Sequence, residues 1–340
     1  MRAAVLYAPG DIRLEEVPVP DVLPGHVLLR VAAVGVCGSD LPRMLIKGAH
    51  KMPLICGHEF SGHIAELGEG VEGFTKGELV AVPPMLPCYK CDQCQKGQFS
   101  RCRDYDYFGS RRDGAYAEYV CVPVSNLLKT PEGIDPRAVA MTDPASIALH
   151  AIWKAGGMTM GQRGGVIGCG PIGLFAIQWM RLMGASEVVA VDVSEEKLEL
   201  ARRAGAKHTF LSGSDIPAGL LCDTIVEAAG HPSSINMAVK MAAPSGHVVF
   251  IGIPVGEVPL DNKTFQHFLR QEISLHGSWN SFGAPYPGPQ WTVTLEKLGS
   301  GELEWEFMLT HDLDLAELPA MFGKFQNDRS MFFSKVMFRP

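Results

Sequence analysis

Four cysteines fall within fifteen residues, as Cys88-x2-Cys91-x2-Cys94-x7-Cys102. Four thiolates at this spacing can close a tetrahedral zinc shell with no open position, so the site would be structural. It would staple a loop that has little core of its own. An iron–sulfur cluster shares the C-x2-C-x2-C spacing of the first three cysteines, but that pattern continues with three residues and a Cys-Pro. Here seven residues intervene and Arg103 follows Cys102. Disulfides explain the cysteines poorly. The chain has nine, an odd number, and its N-terminus turns charged without an apolar signal segment. That start also predicts a cytoplasmic protein.

A second donor set is spread along the chain. Cys37 stands in Cys37-Gly38-Ser39-Asp40, and Gly57-His58-Glu59 follows about twenty residues later. Taken singly, a buried cysteine is packing and a lone histidine is a satisfied side chain. Together they supply the soft and borderline ligands of a catalytic zinc, which needs about three protein ligands and one exchangeable position. Glu59 and one later carboxylate can complete the shell.

The third feature is Gly168-Cys169-Gly170-Pro171-Ile172-Gly173, a G-x-G-x-x-G run between an apolar strand and a helix. Gly168 permits the tight turn, Gly170 admits a pyrophosphate, and Gly173 lets helix pack on strand. The helix N-terminus offers free N–H groups to phosphate. Asp192 ends the next strand, nineteen residues after Gly173. A carboxylate there bonds an adenosine ribose and repels a 2′-phosphate, which favours NAD over NADP. Lys197 is near enough to assist. The plain alternative is a glycine-rich turn with Asp192 as a solvated strand end.

The elements that position these residues divide into two kinds. Up to about Thr142 the sequence reads as short strands punctuated by Gly and Pro, among them Ala3–Tyr7, Val27–Val36, His63–Leu67 and Leu79–Val82. Helical spacing begins at Pro144–Lys154, and βα units then alternate. Helices are expected over Pro171–Met183, from an N-cap at Ser194 to Gly205, and from Pro232. Strands are expected at Gly165–Ile167, Glu187–Val191, Asp223–Glu227 and His247–Ile253. The fold class is therefore α/β, with a doubly wound parallel Rossmann sheet beside a mostly-β domain. The expected domains are residues 1–150 with 278–340, carrying both zinc sites, and 151–277, binding the cofactor.

Bulk properties narrow the function. A 340-residue chain that is 46% hydrophobic and carries a net charge of −7 has no basic block for nucleic acid. Its longest apolar run, Gly165 to Met180, is broken by glycines and falls short of the ~20 residues a bilayer span needs.

Together these residues resemble the zinc-containing medium-chain dehydrogenase family, over essentially the whole chain. The resemblance rests on CGSDLPR (37–43), GHEFSGHI (57–64), LPCYKCDQCQKG (86–97), GSRRDGAYAEY (109–119), the Gly168 fingerprint and GSW…PYPGPQW (277–291). It is strongest toward the members that oxidise sugar alcohol phosphates, with sorbitol and threonine dehydrogenases next. It implies a GroES-like catalytic domain, NAD, and Cys37, His58 and Glu59 at catalytic zinc. The polyol branch adds a Glu before a Pro, and here that dipeptide is Asp143-Pro144. Asp is one methylene shorter, roughly 1.5 Å of reach. Asp143 then ligates directly, acts through water, or only orients a ligand. Pro42 stands where many members carry a relay histidine, so the substrate's proton would leave through Ser39 or a metal-side carboxylate. Gly252, Ile253, Ser278 and Trp279 are expected beside the cofactor, and Asn280 beside the substrate.

Arg43, Lys47, His50, Arg111 and Arg112 are candidates for a phosphate clamp. Their alternative is solvated charge or ion pairing, with Asp40 and Asp113 close in sequence. The substrate classes left open are a polyol phosphate such as galactitol 1-phosphate, an unphosphorylated polyol such as sorbitol, and L-threonine. An NAD-binding protein with structural zinc alone is the reading from another class. A homodimer or homotetramer is expected, joined across an edge strand near Val248–Ile253.

Overall fold

The computed structural model describes residues 1–254, 256–328 and 330–340. The chain forms two compact units. One comprises Met1–Asp143 with Phe282–Pro340, the other Pro144–Ser281.

In the first unit the strand His26–Gly35 is the organising element. It pairs antiparallel with Glu59–Leu67, with Tyr119–Pro123 through its first half, and with Lys335–Arg339 at its end. The larger sheet runs Leu128–Lys129, Leu79–Ala81, Glu59–Leu67, His26–Gly35, Lys335–Arg339, Leu309–Asp314. A three-stranded sheet of Asp11–Glu16, Arg2–Ala8 and Leu54–Ile55 lies within the same unit. Alternating apolar side chains such as Val27, Leu29, Val31, Phe60, Ile64, Val122 and Phe338 meet in its core. Metal-site residues cluster where strands begin and end. Cys37 follows the end of His26–Gly35, and His58 precedes the start of Glu59–Leu67.

The second unit holds a six-stranded, all-parallel sheet. Its order is His208–Leu211, Glu187–Asp192, Arg163–Ile167, Cys222–Glu227, Ala242–Phe250, Ser274–Gly277. Chain order reverses between Arg163–Ile167 and Cys222–Glu227, the switch point of a doubly wound sheet. Strands such as Val188–Val191 are buried on both faces, as parallel strands covered by helices must be. The helix Glu195–Ala204 starts at Ser194, whose side chain accepts from Lys197 N, and stops at Gly205 in the left-handed region. The helix Pro232–Met241 buries Ile235, Ala238 and Val239.

One expectation needs correction. Val248–Phe250 is not at an edge, because it is hydrogen-bonded on both sides. The edge strand on that side of the sheet is Ser274–Gly277, whose four residues are too few to show a period in sequence. Among the described residues no helix is long and apolar enough to cross a membrane.

Candidate active site and metal centres

The four-cysteine loop is folded by tight local turns. Asp92–Gln95 forms one helical turn and Phe99–Arg101 another. The Sγ atoms of Cys88 and Cys94 are 3.9 Å apart, and those of Cys91 and Cys102 are 4.0 Å apart. A tetrahedron with Zn–S bonds of about 2.3 Å has S···S edges of about 3.8 Å, so the thiols fit a zinc ion. Backbone N–H groups of Arg103 and Cys94 bring the Cys91 thiol down to about 6. Burial pushes Cys94 the other way. Met85, Phe99, Phe282 and Trp291 pack around the loop.

The second set is gathered by strand ends. The ligand atoms of Cys37, His58 and Glu59 all lie within 4.8 Å of one another. His58 is 4% exposed and Glu59 3%, so the donors are dry except on the side of half-buried Cys37. Behind them stands Asp40, wholly buried, at the start of the short helix Asp40–Pro42. Its carboxylate accepts from Cys37 N at 3.1 Å and from the Tyr116 hydroxyl at 3.1 Å. It also takes Arg43 at 2.5 Å and faces His58 Nδ1 at 3.5 Å. The last is a contact of charge rather than a tight hydrogen bond.

Burial alone would raise Asp40, but the charges of His58 and Arg43 outweigh it and hold the carboxyl at about 2. Burial likewise opposes an imidazolium at His58, and the charges of Asp40 and Cys37 overcome it. Ser39 Oγ donates to Cys37 Sγ at 3.3 Å. Sequence reasoning treated Asp40 only as a partner for Arg43. The signal was its place three residues after Cys37, where a short helical turn brings it back under the ligands.

Asp143 is 4% exposed. Among the described residues it is not in the set whose ligand atoms lie within 4.8 Å of one another. It is still close enough to feel their charge. Burial outweighs the pull of His58 and, helped by the like charge of Glu59, lifts its carboxyl to about 7. Tyr107 completes the surroundings, its ring edge-on to His58 with centroids 5.7 Å apart. Cys37, Glu59, Asp40 and Asp143 thus bring a thiol and three carboxyl groups into a largely buried region, a donor set whose chemistry fits a divalent cation.

In the second unit the glycine run has the geometry of a phosphate loop. Gly168 sits at φ 94°, and a Cβ on Gly173 would lie 1.9 Å from Gly168 O. Both glycines answer to the protein's own packing. Gly170 does not, since a Cβ there would meet nothing within 4 Å. Gly170 caps the helix Pro171–Leu182 with no side-chain acceptor, and Pro171 and Ile172 form its half-buried first turn. The open space beside uncapped helix N–H groups suits an anionic ligand. Asp192 Oδ2 accepts from Cys169 N at 2.7 Å, and Oδ1 from Ser194 N at 3.0 Å. The carboxylate therefore pins the loop, and each oxygen keeps one lone pair for a ribose hydroxyl. Lys197 is half-buried one turn into the following helix.

Comparison with known proteins agrees with this anatomy. Residues 23–132 match the alcohol dehydrogenase GroES-like domain, and residues 171–290 match the zinc-binding dehydrogenase domain. Galactitol 1-phosphate 5-dehydrogenase of Escherichia coli K12 is 37% identical over 321 residues, covering 92% of each chain. The chain belongs to the zinc-binding alcohol dehydrogenase family. An L-threonine 3-dehydrogenase of Bacillus licheniformis is 34% identical over 76% of this chain and 78% of its own. The crystal structure of galactitol-1-phosphate dehydrogenase from Escherichia coli superposes with a TM-score of 0.94, at 34% identity and full coverage of both chains. The chain is therefore an oxidoreductase of the alcohol and polyol dehydrogenase kind, with a GroES-like unit and a Rossmann unit.

The remaining candidates of this dehydrogenase are placed unevenly. Arg43 is engaged by Asp40, and Arg112 by Asp106 at 2.9 Å. These two guanidinium groups follow the ion-pair alternative, because a carboxylate lies within reach of each. Arg111 is exposed and lies over the Tyr105 ring at 4.5 Å. Lys47 and His50 are exposed and in no ion pair among the described residues. A Cβ on Gly252 would lie 2.2 Å from Gly230 N, a close approach of two loops at the sheet's carboxyl end. Ile253 and Trp279 are 62% and 52% exposed. Ser278 N donates to Phe250 O at 3.0 Å, and Asn280 holds the left-handed conformation at φ 53°. A polar residue kept in that region marks a constrained turn.

Proposed function

We propose that the chain oxidises a secondary alcohol of a sugar alcohol phosphate to the ketose phosphate, with NAD as hydride acceptor and zinc at two sites. The observation that carries this reading is the gathering of Cys37, His58 and Glu59 within 4.8 Å over a buried Asp40. Zinc held there would supply Lewis acidity to the substrate alcohol, and NAD in the second unit would supply the hydride acceptor. Cys37, His58 and Glu59 are the direct ligands, and Asp143 acts on them by charge or through a water. Ser39 Oγ would accept the substrate's proton while passing its own on to the nicotinamide ribose, or a metal-side carboxylate or its water would take the proton directly, since Pro42 cannot. Gly168, Gly170, Pro171, Ile172 and Gly173 receive the pyrophosphate. Asp192 and Lys197 receive the adenosine ribose, and Gly252, Ile253, Ser278 and Trp279 lie along the rest of the cofactor. Cys88, Cys91, Cys94 and Cys102 hold the structural zinc.

Support for a phosphorylated substrate comes from the 37% identity to galactitol 1-phosphate 5-dehydrogenase. It also comes from the exposed charges of Lys47 and Arg111, with the exposed imidazole of His50. Asn280 adds a neutral amide for the polyol hydroxyls. The same edge strand, Ser274–Gly277, is the surface for a homo-oligomer. Metal analysis followed by a substrate panel tests the whole reading. Two zinc ions per chain and preferential oxidation of galactitol 1-phosphate with NAD are expected. One zinc per chain would overturn the catalytic site. Equal or better turnover of sorbitol or L-threonine would overturn the substrate class.

A further inference from the structure

One ring beside the candidate centre carries a hydroxyl that the protein leaves unengaged. Tyr107 is half-buried and stands edge-on to His58, and Tyr105 meets it edge-on in turn, with centroids 6.2 Å apart. Its backbone is held as well. Tyr107 lies in the short strand Asp106–Tyr107, opposite Met85, and its carbonyl accepts from Arg111 N at 3.0 Å and Arg112 N at 3.2 Å. Strand, turn and two ring edges leave the side chain little freedom.

The hydroxyl is the exception. Among the described residues it has no hydrogen-bond partner. In the same unit Tyr116 donates to Asp40 at 3.1 Å, and Tyr286 donates to Met85 O. Such partners are the rule for a phenol taken out of water. The Tyr107 oxygen instead lies among the donors of the candidate site. After burial, the influences it feels most are the charges of Asp143, Cys37 and Glu59, and all of them keep the phenol protonated. It is thus a fixed hydrogen-bond donor beside the place where a substrate alcohol would bind.

A simple alcohol and a polyol differ at this point. A simple secondary alcohol brings one oxygen, and the reaction itself uses it. A polyol brings a second oxygen on the neighbouring carbon. Tyr107 stands one ring away from His58, next to the reacting position rather than at the far end of a long substrate. Resting on the dehydrogenase reading above, we propose that Tyr107 is the residue that selects polyols, its hydroxyl donating to a substrate hydroxyl on a carbon flanking the reacting one. An alcohol without that flanking hydroxyl leaves a half-buried donor unpaired and is penalised for it.

The test uses full-length, zinc-loaded protein with NAD and galactitol 1-phosphate. Beside it stand two deoxy analogues, each with hydrogen in place of one hydroxyl flanking the reacting carbon. In wild type, kcat/KM should fall about ten-fold when one of these two hydroxyls is removed. Tyr107→Phe keeps the ring against His58, so its zinc content and melting temperature should match wild type. With the parent substrate its kcat/KM should fall about ten-fold, and removing the same hydroxyl should then cost less than about two-fold further. Equal penalties for both analogues in wild type and variant would overturn the proposal. Wild type alone would overturn it if neither flanking hydroxyl mattered, whether or not the variant folds. A wild type that oxidises neither galactitol 1-phosphate nor sorbitol would instead sink the reading on which the proposal rests.

Discussion

The two candidate metal centres lie in one unit and are built on opposite principles. The four-cysteine centre takes all its ligands from one loop, and tight turns hold them at tetrahedral spacing. Its ligand set is closed, uniform and local. The Cys37 centre takes its ligands from two strand ends and is supported by residues far away in sequence, Tyr116 behind Asp40 and Lys335 behind Glu59. Its ligand set is mixed, and its backing is a network of buried charge. A staple needs only geometry. A reactive site needs a position that can open.

Four substitutions probe that contrast, from the largest effect down. Cys37→Ser removes the one thiolate of the reactive centre. Turnover should fall at least ~1,000-fold while NAD still binds, as read by steady-state rates and by nicotinamide fluorescence. Near-normal turnover would place the chemistry elsewhere. Cys94→Ser opens the closed centre instead. Metal content should drop from two ions per chain to one and the melting temperature should fall by several degrees, because the loop loses the ion that folds it. If stability and metal content were unmoved, the staple reading would be lost.

Asp143→Asn tests the buried charge. In metal-free protein this carboxyl stands near 7 against 3.8 when unfolded, so its folded value is raised. As pH climbs from about 4 to about 7 the unfolded chain gives up this proton and the folded chain keeps it. The contribution of Asp143 to stability therefore declines across that window. Metal-free Asp143→Asn should lack this decline in pH-dependent denaturation, and zinc-loaded wild type should lack it too. Persistence of the full slope in the variant would assign it to other groups. The smallest effect is expected from Ser39→Ala. Both metals should remain while kcat falls about 100-fold, which separates proton transfer from metal holding. Loss of the second metal in that variant would make Ser39 structural.

Legibility followed locality. The four cysteines, the glycine run, the caps at Ser194 and Gly205 and the order of βα units could all be read directly. Each depends on residues within one or two turns of each other. The edge strand was misplaced at Val248–Ile253 because Ser274–Gly277 is too short to carry a period. For Arg43 and Arg112 the sequence leaves phosphate binding and ion pairing both open, because a carboxylate partner can only be inferred from nearness along the chain, and the structure shows each arginine beside a carboxylate.

Residue type and spacing alone determined a great deal here: the four-thiol donor set at Cys88–Cys102, the doubly wound sheet, and the pair of loops that carry Cys37 and His58. Those features follow from bond geometry and backbone preference, which act over a few residues. Tertiary structure decided what surrounds the reactive centre. It put Asp40 beside His58, left Asp143 outside the donor group of Cys37, His58 and Glu59, and carried Lys335 across Gly35 onto Glu59. Charges in a dry interior act through space, and strand register rather than sequence distance sets which of them meet.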